Sequence, residues 1–348
     1  MKKANVIPPS LQRVGVFMTD QHMGDFILAM PTIQALAAYF DNGIDLYVAS
    51  QHAPLAELIP GVSRTIPYSH NKKTRKSPVQ FFSFLKMVLR LPLQRYQATY
   101  FIRARITEST FAVMTLSPRR IATNTSSRKF VYNRIVKEPL TEKHETRKMA
   151  CLLQTIGQTE PPEPIRLKAP TADAQRLETI LFANHLKAGQ KLAVIHPSAG
   201  LAHRCWPKDR FAYVADALIE CGMKVCFIGA PNEYEFVKEL KQHMEHPDDS
   251  FFLADKLTVL LALFERANIL FSNESGPTHL ASTTDLSIVT IFGPTPPERW
   301  KPMRTKNLTI LSKKELCQCD DPRFCNVDWP CIKEITVEEC LHALEEYI

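Results

Sequence analysis

The chain has 348 residues, 45% hydrophobic and 23% charged, with a net charge of +7; this allows two domains with separate cores and is ordinary for a soluble globular protein. No apolar run reaches membrane-spanning length, and the start MKKANVIPPS lacks the apolar core of a secretory signal, so the expected location is the cytoplasm. Without such a signal, the nine cysteines read as reduced thiols or metal ligands rather than disulfides.

RVGVFMT is the first predicted strand, and DQHMGDFILAMPTIQALAAYF leads from it into a helix, with Met23, Gly24 and Asp25 at the turn between them. Ile27, Leu28, Met30, Ile33, Leu36, Ala37 and Phe40 recur at near-helical spacing. Pro31 fits only in the first turns or at a kink. An acidic residue at such a place is commonly an N-cap.

GIDLYVAS, a short helix near Pro54 to Ile59 and a strand around Val62 to Ile66 continue a βαβ pattern. From Arg64 to Arg105 the chain carries Arg64, Lys72, Lys73, Arg75, Lys76, Lys86, Arg90, Arg95, Arg103 and Arg105 with no Asp or Glu among them. Within that run, SPVQFFSFLKMVLRLPL interleaves Phe81, Phe82, Phe84, Leu85, Val88 and Leu89 with Lys86 and Arg90. This pattern suits a basic amphipathic helix lying on an anionic membrane face; a core helix with snorkelling charges would look much the same. Nucleic acid ranks lower as the anionic partner, because no nucleic-acid-binding signature accompanies the charge.

YFIRA and RRIAT are further strands, while Arg119 to Arg134 is too irregular to assign. HETRKMACLLQTIG is helical and ends at Gly157. The proline-rich stretch from Gln158 to Pro170 marks a linker, dividing the chain into domains 1–160 and 161–348.

The second domain begins with a helix near Thr171 to His185 and the strand in KLAVIHPSAG, whose loop LAHRCWPKDRF runs into the next helix. His196, Pro197, Ser198 and Gly200 lie at that strand end. MKVCFIGAPNEYEF repeats strand, loop and helix, and LTVLLALFERA is a helix leading into NILFSNESGPTHLASTTDLSIVTIFGPTPPERWKP. Here two short apolar strands flank a helix, and Asn273, Glu274, Ser275 and Gly276 fall where the first strand meets it. Free N–H groups and hydroxyls at such a junction favour an anion, and Gly276 permits close backbone approach. An ordinary βαβ unit would use the same Ser and Thr as caps and simply pack His279. The sequence contains no Asp-x-Asp triplet of the kind that clamps a divalent cation.

The tail holds Cys317, Cys319, Cys325, Cys331 and Cys340. Four thiolates could hold a tetrahedral metal in a structural role. The Cys-x-Cys start departs from the usual knuckle, which leaves free thiols as the alternative. The last helix is expected to pack back on the amino-terminal domain.

MGDFILAMP, HPSAG with RCWP, and NESGPTH with FGPTPP, in that order, resemble the motifs of glycosyltransferase family 9, the bacterial ADP-heptose:lipopolysaccharide heptosyltransferases. The resemblance implies an α/β fold of the glycosyltransferase-B type, two Rossmann-like domains facing across a cleft. It implies transfer of a heptose from ADP-heptose to the inner core of lipopolysaccharide. Asp25 would be the general base, with Glu274 and then His279 as substitutes. The donor would meet Gly24, Ser198, Arg204, Glu274, Ser275, Gly276 and His279; Glu274 stands where well-studied members have Asp, and Arg204 where the family has Lys. Arg keeps the charge but changes the reach. A phosphorylated lipid A core acceptor would suit Arg64, Lys72, Lys73, Arg103 and Arg105 in the amino-terminal domain, with peripheral contact at the inner leaflet. Only one carboxylate is identified at the reacting centre, which fits inversion by single displacement. No cofactor is obligatory on this reading, and cysteine-rich tails occur in a subset of the family. A silent sugar-nucleotide-binding protein, an epimerase of the same fold and a basic nucleic-acid-binding protein remain as alternatives.

Overall fold

The structure is a computed structural model describing residues 6–68, 78–303, 307–317, 325 and 328–347. The chain divides into two compact units, Met1–Ile165 and Arg166–Ile348. No helix among the described residues is long and apolar enough to cross a membrane.

The first unit runs β1 (Val14–Met18), α1 (Met23–Tyr39), β2 (Ile44–Ala49), α2 (Ala53–Ala56), β3 (Val62–Tyr68), α3 (Pro78–Arg90), β4 (Ala98–Phe101), α4 (Ile106–Met114), β5 (Arg120–Thr123), β6 (Arg134–Val136) and α5 (Glu145–Ala150). Its six strands form one parallel sheet in the order β3-β2-β1-β4-β5-β6. β1, β2 and β4 are buried along their whole length, the condition of central strands covered by helices on both faces. Phe17 stacks between Tyr47 and Phe101 and reaches Phe111 of α4. Phe84 of α3 meets Tyr68 and Phe111, and Val88 and Leu91 are buried. Pro31 lies inside α1, beyond its first turn.

The second unit runs α6 (Thr171–Ala183), β7 (Leu192–His196), α7 (Lys208–Glu220), β8 (Lys224–Ile228), α8 (Tyr234–Lys241), β9 (Ser250–Leu253), α9 (Leu257–Arg266), β10 (Ile269–Asn273), α10 (Gly276–Ala281), β11 (Ser287–Phe292), α11 (Pro297–Trp300), β12 (Leu308–Ser312), α12 (Pro330–Lys333) and α13 (Val337–Glu345). Its parallel sheet has the order β12-β11-β10-β7-β8-β9. Counted from the first strand of each unit, both sheets read 3-2-1-4-5-6, the doubly wound order. The chain therefore reverses direction across the sheet between β1 and β4 in one unit, and between β7 and β10 in the other. Loops leaving the carboxyl ends of those pairs diverge and leave a crevice for a ligand.

The terminal helix is part of the second unit. α13 packs on α7, β11 and β12, because its Cys340 and Leu344 complete the apolar core of the second unit. Trp206 anchors the same core: it is buried against Phe211 and Phe271, and its indole N–H donates to the Ile335 carbonyl at 2.9 Å. Pro207 follows as the N-cap of α7, so this Trp-Pro pair both starts a helix and ties the tail to the sheet.

Candidate functional site

In the first unit the crevice between β1 and β4 holds a cluster of charge. β1 leads through Thr19 and Asp20 into α1, whose N-cap is His22. Asp25 is the third residue of the helix. It is therefore not the cap, and the cap alternative fails. The N-terminal turn favours its negative charge, and Gly24 precedes it in the same turn. Asp25 is 8% exposed, and a guanidinium nitrogen of Arg103, from the loop after β4, pairs with its carboxylate. The same nitrogen lies 3.6 Å from Glu145 in the first turn of α5, and Lys148 lies 3.1 Å from Glu145. Arg103 has φ +54°, a left-handed conformation costing about 1–3 kcal/mol for a non-glycine residue; the backbone takes that cost where its side chain joins two acidic groups.

A second layer supports this pair. Asp20 accepts from the His22 backbone N–H at 3.0 Å and lies 2.8 Å from His22 Nδ1, and Arg105 lies 2.8 Å from its other oxygen. Glu108 accepts from the Arg105 N–H at 2.9 Å and from the Thr19 hydroxyl. Burial opposes the charge of Asp20, yet the His22 hydrogen bonds and the Arg105 charge bring its pKa down to about 2. Asp25 goes the other way. Burial raises its pKa and the charge of Asp20 adds to this, while Arg103 opposes the rise. His22 is raised chiefly by its hydrogen bond to Asp20. The cluster thus presents one fixed anion, Asp20, and one carboxylate with increased proton affinity, Asp25, which is what a general base requires.

Three of the ten basic residues in the run from Arg64 to Arg105 are therefore cancelled by partners outside it. Arg103 and Arg105 serve Asp25 and Asp20. Arg64 donates to Asp45 at 2.9 Å, and Asp45 also accepts from the Tyr96 hydroxyl at 2.8 Å, which makes Arg64 part of the β2–β3 framework. Lys72 and Lys73 lie outside the described residues.

In the second unit the crevice between β7 and β10 is lined by neutral donors and one arginine. Buried His196, the last residue of β7, lies 2.9 Å from the Ser275 hydroxyl through Nδ1 and 3.2 Å from the Ser198 hydroxyl through Nε2. Burial lowers its pKa to about 4, so it is a neutral imidazole near pH 7. Asn273 at the end of β10 donates to the Pro197 carbonyl at 2.7 Å and accepts from the Trp206 N–H at 3.0 Å. One amide thereby joins both loops. Ser275 is the N-cap of α10 but makes no side-chain cap; its hydroxyl is turned to His196, and Gly276 begins the helix. His279 is buried in the same short helix. Arg204 donates to Glu274 at 3.4 Å, while its buried Nε–H has no acceptor among the described residues. The guanidinium thus retains a donor for a ligand oxygen.

The structure brings together Ser198, Arg204, Glu274, Ser275 and Gly276 at one crevice, and Gly24, Asp25, Arg103 and Arg105 at the other. Sequence reasoning missed Asp20, His22, Glu108 and Glu145, and gave no role to His196 and Asn273, although both fall at strand ends where such roles arise. In the tail, Cys317 and Cys331 are buried and Cys325 is half-buried, and the Trp329 N–H donates to Cys325 Sγ at 3.4 Å. Cys319 lies outside the described residues. Cys340 lies in the apolar core of the second unit, and burial lifts its thiol to about 12.

Two doubly wound parallel sheets in one chain, each with polar side chains gathered at its switch point, define a glycosyltransferase-B architecture. Solved structures agree with it over nearly the whole chain. A family 9 glycosyltransferase from Veillonella parvula superposes with a TM-score of 0.83 at 19% identity, covering 99% of both chains, and the Escherichia coli ADP-heptose LPS heptosyltransferase II gives 0.77 at 17%, covering 96% and 98%. Residues 85–327 match the family model described as glycosyltransferase family 9 (heptosyltransferase). The chain belongs to that family and is a transferase. Among curated relatives, lipopolysaccharide heptosyltransferase 3 of Escherichia coli is 24% identical over 80% of this chain and 83% of its own length.

Removing the Arg103 charge tests the electrostatics directly. In Arg103→Gln the largest of the influences holding the Asp25 pKa down is lost, so that pKa rises further above the ordinary carboxylate value. Asp25 is ionised above its pKa and neutral below it, so its titration moves to higher pH. Carboxyl-carbon NMR of labelled protein should show that upward move, with the Asp20 resonance little changed. An unmoved Asp25 titration in a folded variant would contradict the pairing.

Proposed function

We propose that this protein transfers a heptose from ADP-heptose to the inner core of lipopolysaccharide, with inversion and without an obligatory metal ion. The observation that carries the reading is the pair of switch-point clusters: a buried carboxylate with raised proton affinity at β1–β4, and a set of hydroxyls, N–H groups and Arg204 at β7–β10. Family membership, and relatives named as lipopolysaccharide and lipooligosaccharide heptosyltransferases, support the choice of donor and acceptor. A related heptosyltransferase, WaaC of Escherichia coli, has been solved with ADP-2-deoxy-2-fluoro heptose.

On this reading Asp25 accepts the proton of the acceptor hydroxyl as its oxygen forms a bond to the anomeric carbon. The bond from that carbon to the diphosphate oxygen breaks, and ADP leaves with the electron pair. Arg103 positions Asp25 and keeps it ionised in a poorly solvated place. Arg204, the Ser198 and Ser275 hydroxyls and the Gly276 N–H take the diphosphate charge, the form of stabilisation that acts where charge develops in the transition state. Neutral His196 orients Ser198 and Ser275. Glu274 would contact the heptose, its carboxylate held by Arg204. Gly24 and His279 complete the donor contacts. The acceptor is lipid-linked, so the enzyme works in the cytoplasm in peripheral contact with the inner leaflet.

The deciding assay incubates the protein with ADP-heptose, with and without a heptose-deficient lipid A core, in the presence of a chelator. ADP release should depend on the acceptor and persist with the chelator. Release without acceptor, or none at all, would overturn the reading. Arg204→Ala should weaken ADP-heptose binding by roughly 10- to 100-fold, as expected for losing a charge-assisted contact worth about 1.5–3 kcal/mol, without altering the melting temperature greatly.

For the tail, the same proposal includes a structural metal held by Cys317, Cys319, Cys325 and Cys331. The burial of Cys317 and Cys331 and the N–H donated to Cys325 Sγ support it. Elemental analysis should find about one thiolate-bound metal ion per chain, and its removal should lower the melting temperature. Metal-free protein in which all four titrate as free thiols would contradict it.

A further inference from the structure

His22 is the exposed member of the cluster around Asp25. Its side chain is 73% exposed, against 4% for Asp20 and 10% for Asp25. Nδ1 faces inward, 2.8 Å from Asp20 Oδ1 and 3.7 Å from Asp25 Oδ2. Asp20 is an anion down to about pH 2, so Nδ1 carries a hydrogen whether the ring is neutral or charged. The ring therefore gains and loses its charge at Nε2, away from both carboxylates. Although His22 is the N-cap of α1, its side chain makes no cap hydrogen bond, so the helix start does not depend on the imidazole. The other groups around the pair come from four further elements. Arg103, in the loop after β4, pairs with the second oxygen of Asp25 and extends to Glu145 of α5, itself paired with Lys148. Arg105 pairs with Asp20, and its N–H donates to Glu108 of α4. His52, after β2, is buried with its pKa lowered to about 4, so it is neutral near pH 7. Both arginines stay charged at any working pH. His22 differs from them, because its hydrogen bond to Asp20 raises a pKa that already lies near neutrality.

We propose that His22 is a positioning residue for the Asp25 base: its imidazole, anchored on Asp20 through Nδ1, holds beside Asp25 a positive charge that solvent sets at Nε2. A charged ring favours the ionised form of Asp25 and lowers its proton affinity; a neutral ring removes that attraction and leaves Asp25 more basic. A direct relay, in which His22 takes the proton from Asp25, does not fit, because Nδ1 already carries its hydrogen toward Asp20. His22 starts from a higher ordinary pKa than Asp25 and is itself raised, so Asp25 titrates at lower pH, beside an imidazolium. The base role of Asp25 belongs to the transfer reaction proposed above, and this inference rests on it; the contacts among the three side chains do not.

Carboxyl-carbon NMR of the labelled full chain, without substrate and at low salt, follows the Asp25 titration in the wild type, His22→Gln and His22→Lys. In His22→Gln the Asp25 midpoint should rise by about 0.5–1 pH unit, the effect of losing a unit charge about 4 Å away in largely aqueous surroundings. His22→Lys, whose charge does not titrate near neutrality, should keep the midpoint close to the wild-type value. The wild-type Asp25 resonance should also show a second, smaller inflection as His22 titrates, absent from both variants. Unchanged melting temperatures show that the variants are folded. An unmoved Asp25 midpoint in folded His22→Gln overturns the proposal, and so does a shift as large in His22→Lys, since charge would then not be the cause. The pH profile of kcat/KM for acceptor-dependent ADP release reads the same effect in catalysis: its acid limb should move up in His22→Gln and stay in place in His22→Lys. An acid limb that stays put while the Asp25 midpoint moves overturns Asp25 as the base, and the role of His22 with it. Absence of transfer by the wild type overturns the reaction itself, a failure that the substrate-free titration distinguishes from an absent His22 effect.

Discussion

The arrangement of the amino-terminal site depends on one buried ion pair. Asp25 is placed by the first turn of α1 in a position where water cannot solvate it well, and Arg103 reaches it from a different strand with its own backbone held left-handed. Leaving either charge without the other would cost up to about 3–5 kcal/mol, so the loop after β4 and the start of α1 are locked together. Asp20, His22, Arg105 and Glu108 fill the remaining positions around the pair and fix which carboxylate stays permanently charged. The pKa values of Asp20 and Asp25 are thus driven apart by their surroundings, the separation that assigns distinct roles to neighbouring acids.

The two units solve the same topological problem with opposite chemistry. Both sheets have the 3-2-1-4-5-6 order, and both gather their polar side chains where the winding reverses. One crevice is built from ion pairs, and the other from a neutral histidine, hydroxyls and the Asn273 amide that braces the loops after β7 and β10. The Glu274 carboxylate beside them is paired with Arg204. The tail contributes stability rather than chemistry to this unit. Trp206 sits between the Arg204 loop and α7, and its bond to Ile335 carries the carboxyl-terminal segment into the core beneath that loop.

Much of this was legible in the sequence, for identifiable reasons. Strand-end loops with Gly, Ser, Asp and His announced both crevices, because the doubly wound fold puts its ligands there and the flanking strands are plainly apolar. The glycosyltransferase-B architecture followed from the ordered motifs. β6, β9 and β12 are the edge strands of their sheets, and none is buried along its whole length, so no continuous apolar run marks them and they went unrecognised. The charge run was misread in one respect: Arg64, Arg103 and Arg105 find their carboxylates at Asp45, Asp25 and Asp20, pairings of distant residues that no local pattern encodes. The roles of His196 and Asn273 were hidden for the same reason, since each acts by joining loops 67 to 79 residues apart.

The central claim is that Asp25 accepts a proton rather than merely stabilising α1, and one substitution separates these roles because His22, not Asp25, is the N-cap. Asp25→Asn retains the size and much of the hydrogen bonding of the side chain while removing its basicity. Steady-state transfer should fall by roughly 10²- to 10⁴-fold, the usual contribution of a general base, with the ADP-heptose dissociation constant nearly unchanged. Turnover close to that of the wild type in the folded Asn variant would contradict the account and transfer the role of base to another residue.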